Sequence, residues 1–246
     1  MQIEFFLKQK NCSRSISLPS GEILNLTWNL KDEYPKPYPA KKGLQEWYKY
    51  TPKRKDNKQE EYARDKGGTI KNCMPVFDIL STGYIIPLVD PVSIEIDGNE
   101  IEYGDEGRLL FSGHVLNQYT NAPFEDEYVC KYDNIWVVKT PPGYSCLFTQ
   151  PFYQSNKSFT MLPAIVDTDT YENAVAFPFT IKKDSRKIEI PKGYPMVQVI
   201  PFKREEWTHT IFDEVFEEKV QKITQSLDKT GIDAYKSLYW SKKSYE

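Results

Sequence analysis

The sequence predicts a mainly β fold, a sandwich or barrel that carries an amphipathic helix at its C-terminal end. Three observations lead there. Short apolar runs separated by Gly, Pro, Asn and Asp recur through the middle of the chain, the texture of an all-β domain. Aromatic residues make up 14% of the 246 residues, with 17 Tyr and 13 Phe, and 17 prolines interrupt them. That composition suits strands and loops better than a helical bundle. Finally, "VSIEIDGNEIEYG" spells out one hairpin. Ile94 and Ile96 alternate with Ser93 and Glu95, Ile101 and Tyr103 alternate with Glu100 and Glu102, and Asp97-Gly98 lies between them. An Asp-Gly pair supplies the positive φ angles of a tight two-residue turn.

The elements follow in order. "MQIEFFLKQK" predicts a first strand and "EILNLTWNL" (22–30) a second, joined through the turn "LPSGE". Pro35, Pro37 and Pro39 remove ladder donors and predict an extended excursion. Residues 52–66 form the most charged stretch, a solvated loop or surface helix; its basic members Lys53, Arg54, Lys55 and Lys58 are diluted by Asp56, Glu60 and Glu61. "MPVFDILSTG" predicts a helix with Pro75 in its first turn and Gly83 at its stop, followed by the buried strand "YIIPL". Further strands are expected at 108–112, 134–139, 144–150, 162–167, 174–181, 186–190 and 196–202. From about residue 203, Ile211, Phe212, Val215, Phe216, Val220, Ile223 and Leu227 recur at helical spacing, ending near Gly231. The chain thus has three regions, 1–70, 71–204 and 205–246, expected to belong to one domain.

Charge and motif content narrow the chemistry. Thirty-two basic residues against 35 acidic ones give a net charge of −3, which argues against global attraction to nucleic acid or an anionic membrane. No apolar stretch approaches the ~18 residues of a membrane span. The four cysteines, Cys12, Cys73, Cys130 and Cys146, form no CxxC pair and read as reduced, mostly buried thiols. His114 and His209 stand isolated, so no metal centre is expected. There is no G-x-S-x-G, no P-loop and no G-x-G-x-x-G.

One stretch carries more. "LPAIVDTDTYENAVAFPFTI" (162–181) places Asp167, Asp169 and Tyr171 inside an otherwise apolar run. Together with "KTPPGYSCLFTQP" before it and "PKGYPMVQVI" after it, the segment resembles the C-terminal half of the dUTPase and dCTP-deaminase superfamily. The resemblance implies a β-clip core and a trimer. It also implies Asp167 as the water-activating base, Tyr171 packing on a sugar, and Lys192-Gly193 and Gln198 in the closing turn and strand. Mg²⁺ would arrive on the nucleotide triphosphate. The phosphate side is poorly supplied, however. No arginine occurs between Arg108 and Arg186, Lys157 is the one cation near the expected phosphate motif, and the tail after 206 has one glycine and no arginine. Asp167 and Asp169 are therefore either a turn-forming pair or, with Tyr171 and Gln198, members of a ligand site.

"IKNCMPVFDILSTGYIIPL", "VVKTPPGYSCLFTQPF", "IVDTDTY" and "IPKGYPMVQVIPFKREEW" together resemble, over about 70–207, a protein family of unassigned activity common in tailed-phage genomes. This implies a viral origin and a setting in the host cytoplasm or the virion. The expected function is a non-enzymatic binding or assembly module, such as a virion component, whose partners are other protein subunits or further copies of itself. The alternative is a nucleotide-directed enzyme or regulator of the dUTPase-like class, acting by dNTP hydrolysis or deamination.

Overall fold

The computed structural model describes residues 1–17, 20–53, 68–98, 100–114, 116–124, 126–154, 156, 158–182, 184, 186–213, 216–231 and 233–246. The charged stretch from Arg54 to Glu61, Lys157 and Val215 lie outside them. The chain divides into two compact units, Met1–Tyr38 with Gly83–Arg204, and Pro39–Thr82 with Glu205–Glu246.

The first unit holds the strands. They are β1 (Glu4–Leu7), β2 (Asn11–Ser17), β3 (Ile23–Asn29), the two-residue β4 (Tyr38–Pro39) at its boundary, β5 (Tyr84–Pro87), β6 (Val92–Asp97), β7 (Glu100–Tyr103), β8 (Phe111–Gly113), β9 (Tyr128–Lys139), β10 (Tyr144–Thr149), β11 (Phe159–Met161), β12 (Ala164–Val166), β13 (Ala174–Ile181), β14 (Lys187–Ile190) and β15 (Pro195–Lys203). One sheet runs β1-β9-β13-β11, with β8 also on β9; a second runs β12-β10-β15-β5-β4. A three-stranded sheet, β14-β6-β7, and the hairpin β2-β3 complete the set, and no described sheet closes into a barrel.

Aromatic burial explains the composition. Phe111, Tyr132, Phe148 and Phe179 are fully buried. Phe111 stacks on Tyr132 at 5.1 Å and meets Phe179 edge-on at 5.9 Å, while Phe148 of β10 lies 5.4 Å from Phe177 of β13. The two large sheets thus share one core, which the alternating apolar residues of their inner faces fill. Cys130 and Cys146 are buried in it, Cys12 is half-buried and Cys73 is exposed.

Several strands depart from expectation. The strand expected at 162–167 is shorter, Ala164–Val166, and an unexpected strand, Phe159–Met161, precedes it. Pro163 cannot donate to a ladder, and on either side of it β11 pairs with β13 while β12 pairs with β10, so the chain changes sheet there. Residues 106–110 form a 3-10 turn ahead of β8. The first strand pairs with β9, Glu4 opposite Lys139, because β2 intervenes and takes β3 as its hairpin partner. Gly83 does stop a helix, at φ +73°, and it is constrained a second time: a Cβ there would sit 2.0 Å from the Val199 carbonyl oxygen on β15.

The second unit contains α1 (Glu46–Tyr50), α2 (Met74–Ser81), α3 (Glu217–Thr230) and α4 (Ala234–Leu238). Tyr48 and Phe77 stack at 6.4 Å, and the Trp240 indole N–H donates to both Asp78 carboxylate oxygens at 3.0 Å. The C-terminal helix starts at Glu217 rather than near 203, so Trp207, Ile211 and Phe212 belong to an irregular segment. It stops as expected at Gly231, whose φ is +87° and whose N–H bonds the Leu227 carbonyl at 3.0 Å. Among the described residues, no helix is long and apolar enough to cross a membrane.

Candidate functional site

The loop that follows β12 is built by local hydrogen bonds. The Asp167 carbonyl accepts from the N–H groups of Thr170 at 3.1 Å and Tyr171 at 2.9 Å, closing a tight turn. Thr168 points inward and is buried; its hydroxyl meets the Thr140 hydroxyl at 2.8 Å and donates to Cys146 Sγ at 3.3 Å. Burial pushes the Cys146 thiol up to about 11, which makes it a packing group rather than a nucleophile. With Thr168 anchored in the core, the flanking Asp167 and Asp169 are directed to the surface of the sheet.

The segment opposite is the "PPG" turn. Gly143 has φ +84°, and the Tyr144 N–H returns to the Pro141 carbonyl at 3.2 Å. Pro at the second position and Gly at the third suit a type II turn. This leaves the Gly143 N–H free to donate to Asp169 Oδ2 at 2.8 Å.

Arg204 completes the cluster. It follows directly on β15, which pairs with β10 so that Lys203 lies opposite Tyr144. The Arg204 N–H bonds the Gly143 carbonyl at 2.8 Å. Its guanidinium then grips Asp169 as a fork, Nη1 to Oδ1 at 2.9 Å and Nη2 to Oδ2 at 2.5 Å. Nη1 also reaches Ser145 Oγ at 3.0 Å and Asp167 Oδ1 at 3.3 Å, while Ser145 donates to that same Asp167 oxygen at 2.6 Å. The Asp169 side chain is 6% exposed, that of Asp167 61%. The Arg204 bonds, followed by the Gly143 N–H, lower the Asp169 carboxyl to about 2. One guanidinium against two carboxylates leaves these three side chains with a net negative charge.

The other expected residues are placed differently. Tyr171, in the same turn as Asp167, is exposed. Gln198 is buried, and its Oε1 accepts from the Phe152 N–H at 3.2 Å. It pairs with Thr149, four residues along β10 from Ser145, which is roughly 13 Å at the usual strand rise. The fold therefore brings Asp167, Asp169 and Tyr171 together and leaves Gln198 apart. Lys192 reaches the Glu33 carbonyl at 2.7 Å, away from this cluster. Among the described residues, no group of three or more His, Cys, Asp or Glu side chains is arranged to hold a metal.

Comparison with known proteins returns structural likeness alone. A dUTPase from phage phi11 of S. aureus is 15% identical with a TM-score of 0.32, the match covering 55% of this chain and 86% of that one. A Staphylococcus bacteriophage 80alpha dUTPase is 14% identical with a TM-score of 0.31, covering 54% of this chain and 87% of that one. No family model matches the chain, and no curated protein does.

Arg204 is the residue that sequence reasoning passed over. The arginines sought near Asp167 lay between 108 and 186 or in the tail, and Arg204 falls between those windows. The signal that would have found it is the register of β10 on β15, which places the end of one strand against the turn that starts the other.

Proposed function

We propose that this protein is a non-enzymatic binding or assembly module, in which the 167–171 loop serves the fold rather than a reaction. The Arg204 fork on Asp169, shared with Asp167, is the observation that carries this reading. A base awaiting a polyphosphate substrate needs cations aimed outward at the phosphates. Here the one guanidinium at the loop is engaged inward, and the residual charge repels an anion. The assembly role fits Trp207, Ile211, Phe212 and Phe216, four large apolar side chains in one short segment, all exposed; Trp207 is 86% exposed. Clustered exposed apolar residues of this kind suit protein partners, whether further copies of this chain or the subunits of a phage particle.

The test is turnover by the purified chain with a dNTP panel including dUTP and dCTP, in the presence of Mg²⁺. No product above background is the expected result, unchanged by Asp167→Asn. Hydrolysis or deamination that disappears in Asp167→Asn would overturn the reading. Light scattering of Ile211→Asp/Phe212→Asp tests the assembly role, with a loss of oligomer mass expected. Detection of the chain in purified particles by mass spectrometry tests the virion version.

A second reading is favoured by the exposure of Asp167. Its carboxylate is open to solvent, and Tyr171, exposed in the same turn, would be its companion in a dUTPase-like enzyme, the two serving as general base and sugar platform. In that reading Mg²⁺ comes with the triphosphate.

A further inference from the structure

The second unit contains a cavity of about 910 Å³ whose walls are unusually one-signed. Lys41 and Lys42 reach it from the 3-10 turn Ala40–Gly43, and Lys53 and Lys71 from the segments after α1 and before α2. The tail adds Lys236, Lys242 and Lys243, and Glu246 is the only acidic residue in the lining. Two of the seven lysines are engaged. Lys71 Nζ donates to the Tyr48 carbonyl at 2.6 Å and lies over the Tyr48 ring, and Lys243 pairs with Asp78 at 2.7 Å. The other five have no carboxylate partner among the described residues. The first unit shows the contrast. Its cavity of about 980 Å³ is lined by Lys31, Arg108 and Lys192 against Asp32, Asp90, Asp105 and Glu106.

Like charges gathered around one half-open cavity repel one another. A counter-anion relieves it. The lining narrows its chemistry. Among the described lining residues all the cations are lysines. Ammonium groups bind phosphate as compact point charges, and several gathered together suit a multiply charged anion. A terminal phosphate brings about −1.5 to −2, so five ammonium groups without a carboxylate partner among the described residues, set against Glu246, match more than one phosphate. The lysines converge from separate segments on one bounded cavity, within the volume range of small-ligand sites, instead of forming a stripe that could track a strand. The net charge of −3 gives the chain no general attraction for nucleic acid.

We propose that this cavity binds a small polyphosphate anion, the chemistry shared by inorganic tripolyphosphate and nucleoside triphosphates. The site is composed of second-unit residues and does not rest on the reading of the 167–171 loop.

Titration calorimetry on the full chain at low salt tests it, with orthophosphate, tripolyphosphate, ATP and a thymidine oligonucleotide as probes. Tripolyphosphate and ATP bind one per chain, at least about tenfold tighter than orthophosphate and weakening as salt rises. Equal affinity for the two assigns recognition to the phosphate chain; tighter ATP binding adds a nucleoside contact, and both results support the site. Lys42→Gln/Lys242→Gln loses about tenfold or more in affinity. Lys10→Gln/Lys182→Gln, which removes the same charge from the first unit, loses none. Circular dichroism checks each fold, and Lys53→Gln/Lys236→Gln replaces the first pair if it unfolds. Three outcomes overturn the proposal: no binding of either polyphosphate at millimolar concentration, equal losses in the control variant, or an oligonucleotide that binds more tightly than both at equal phosphate concentration.

Discussion

Charge is handled in opposite ways in the two units. Around Asp169 in the first, a carboxylate that is almost fully covered meets a guanidinium fork and a backbone N–H, so its hydrogen-bonding capacity is used within the fold. Around Lys42 and Lys242 in the second, ammonium groups face a shared cavity with one carboxylate among its lining residues. An ion pair closed on itself holds a loop in place and has little left to offer a ligand. An unbalanced cluster keeps its charge available to a ligand. The loop that resembles a catalytic motif is therefore the better neutralised of the two regions, and the better anion site lies where no motif points.

The largest effect is expected from removing residues 231–246. This deletes the Trp240–Asp78 contact and α4 with its buried Ala234. Loss of a large aromatic anchor costs about 3–5 kcal/mol. Hydrogen exchange measured by mass spectrometry should show α2 losing protection and polyphosphate binding disappearing, while peptides covering 164–171 stay protected. Equal loss in both regions would break the separation drawn between them.

Next comes Arg204→Ala, which leaves two carboxylates facing each other with no cation between them. The melting temperature should fall by a few degrees and the 164–171 peptide should exchange faster. Arg204→Lys should recover only part of the loss, because an ammonium cannot form the two parallel bonds of the fork. Full recovery with lysine would mean that the pairing is a matter of charge alone.

A smaller effect should appear in acid. Asp169 sits at about 2 in the folded chain against an ordinary 3.8. A depressed carboxyl stabilises the fold above its unfolded value, and that contribution is lost as pH falls through the folded one. The stability difference between the natural chain and Asp169→Asn, from urea unfolding, should be constant above about pH 5 and shrink progressively toward pH 2. A difference independent of pH would remove the ion pair as its source.

The smallest effect is that of salt, and its sign should differ between the regions. Screening weakens the partly exposed Arg204 cluster and relieves the repulsion among the cavity lysines. Added KCl should lower protection at 164–171 and raise it at α2. The same sign in both would indicate that the cavity lysines do not repel one another.

Much of the β architecture was legible in advance, and the reasons lie in particular residues. The hairpin across Asp97-Gly98 follows the period of two that one buried face imposes, with Val92, Ile94 and Ile96 buried in turn. Strand β2, "NCSRSIS", was missed because its alternation is polar and one face of a two-stranded ribbon needs little apolar surface. Ile211 and Phe212 continue the helical spacing, but the helix begins only at Glu217, where Glu217 and Glu218 place the negative charge that suits a helix N-terminus. The pairing of Asp167 and Asp169 in one turn could be read from "IVDTDTY"; the partner that engages them could not.

By itself the sequence determined the local periods, the turns at Gly98, Gly143 and Gly231, and the aromatic supply of the core, because each depends on residues a few positions apart. Tertiary structure alone decided that Arg204 meets Asp169 across a strand register, and that lysines spread from 41 to 243 face one cavity. Electrostatic pairing depends on distance in space, and 35 residues of separation say nothing about whether a guanidinium and a carboxylate lie 2.9 Å apart.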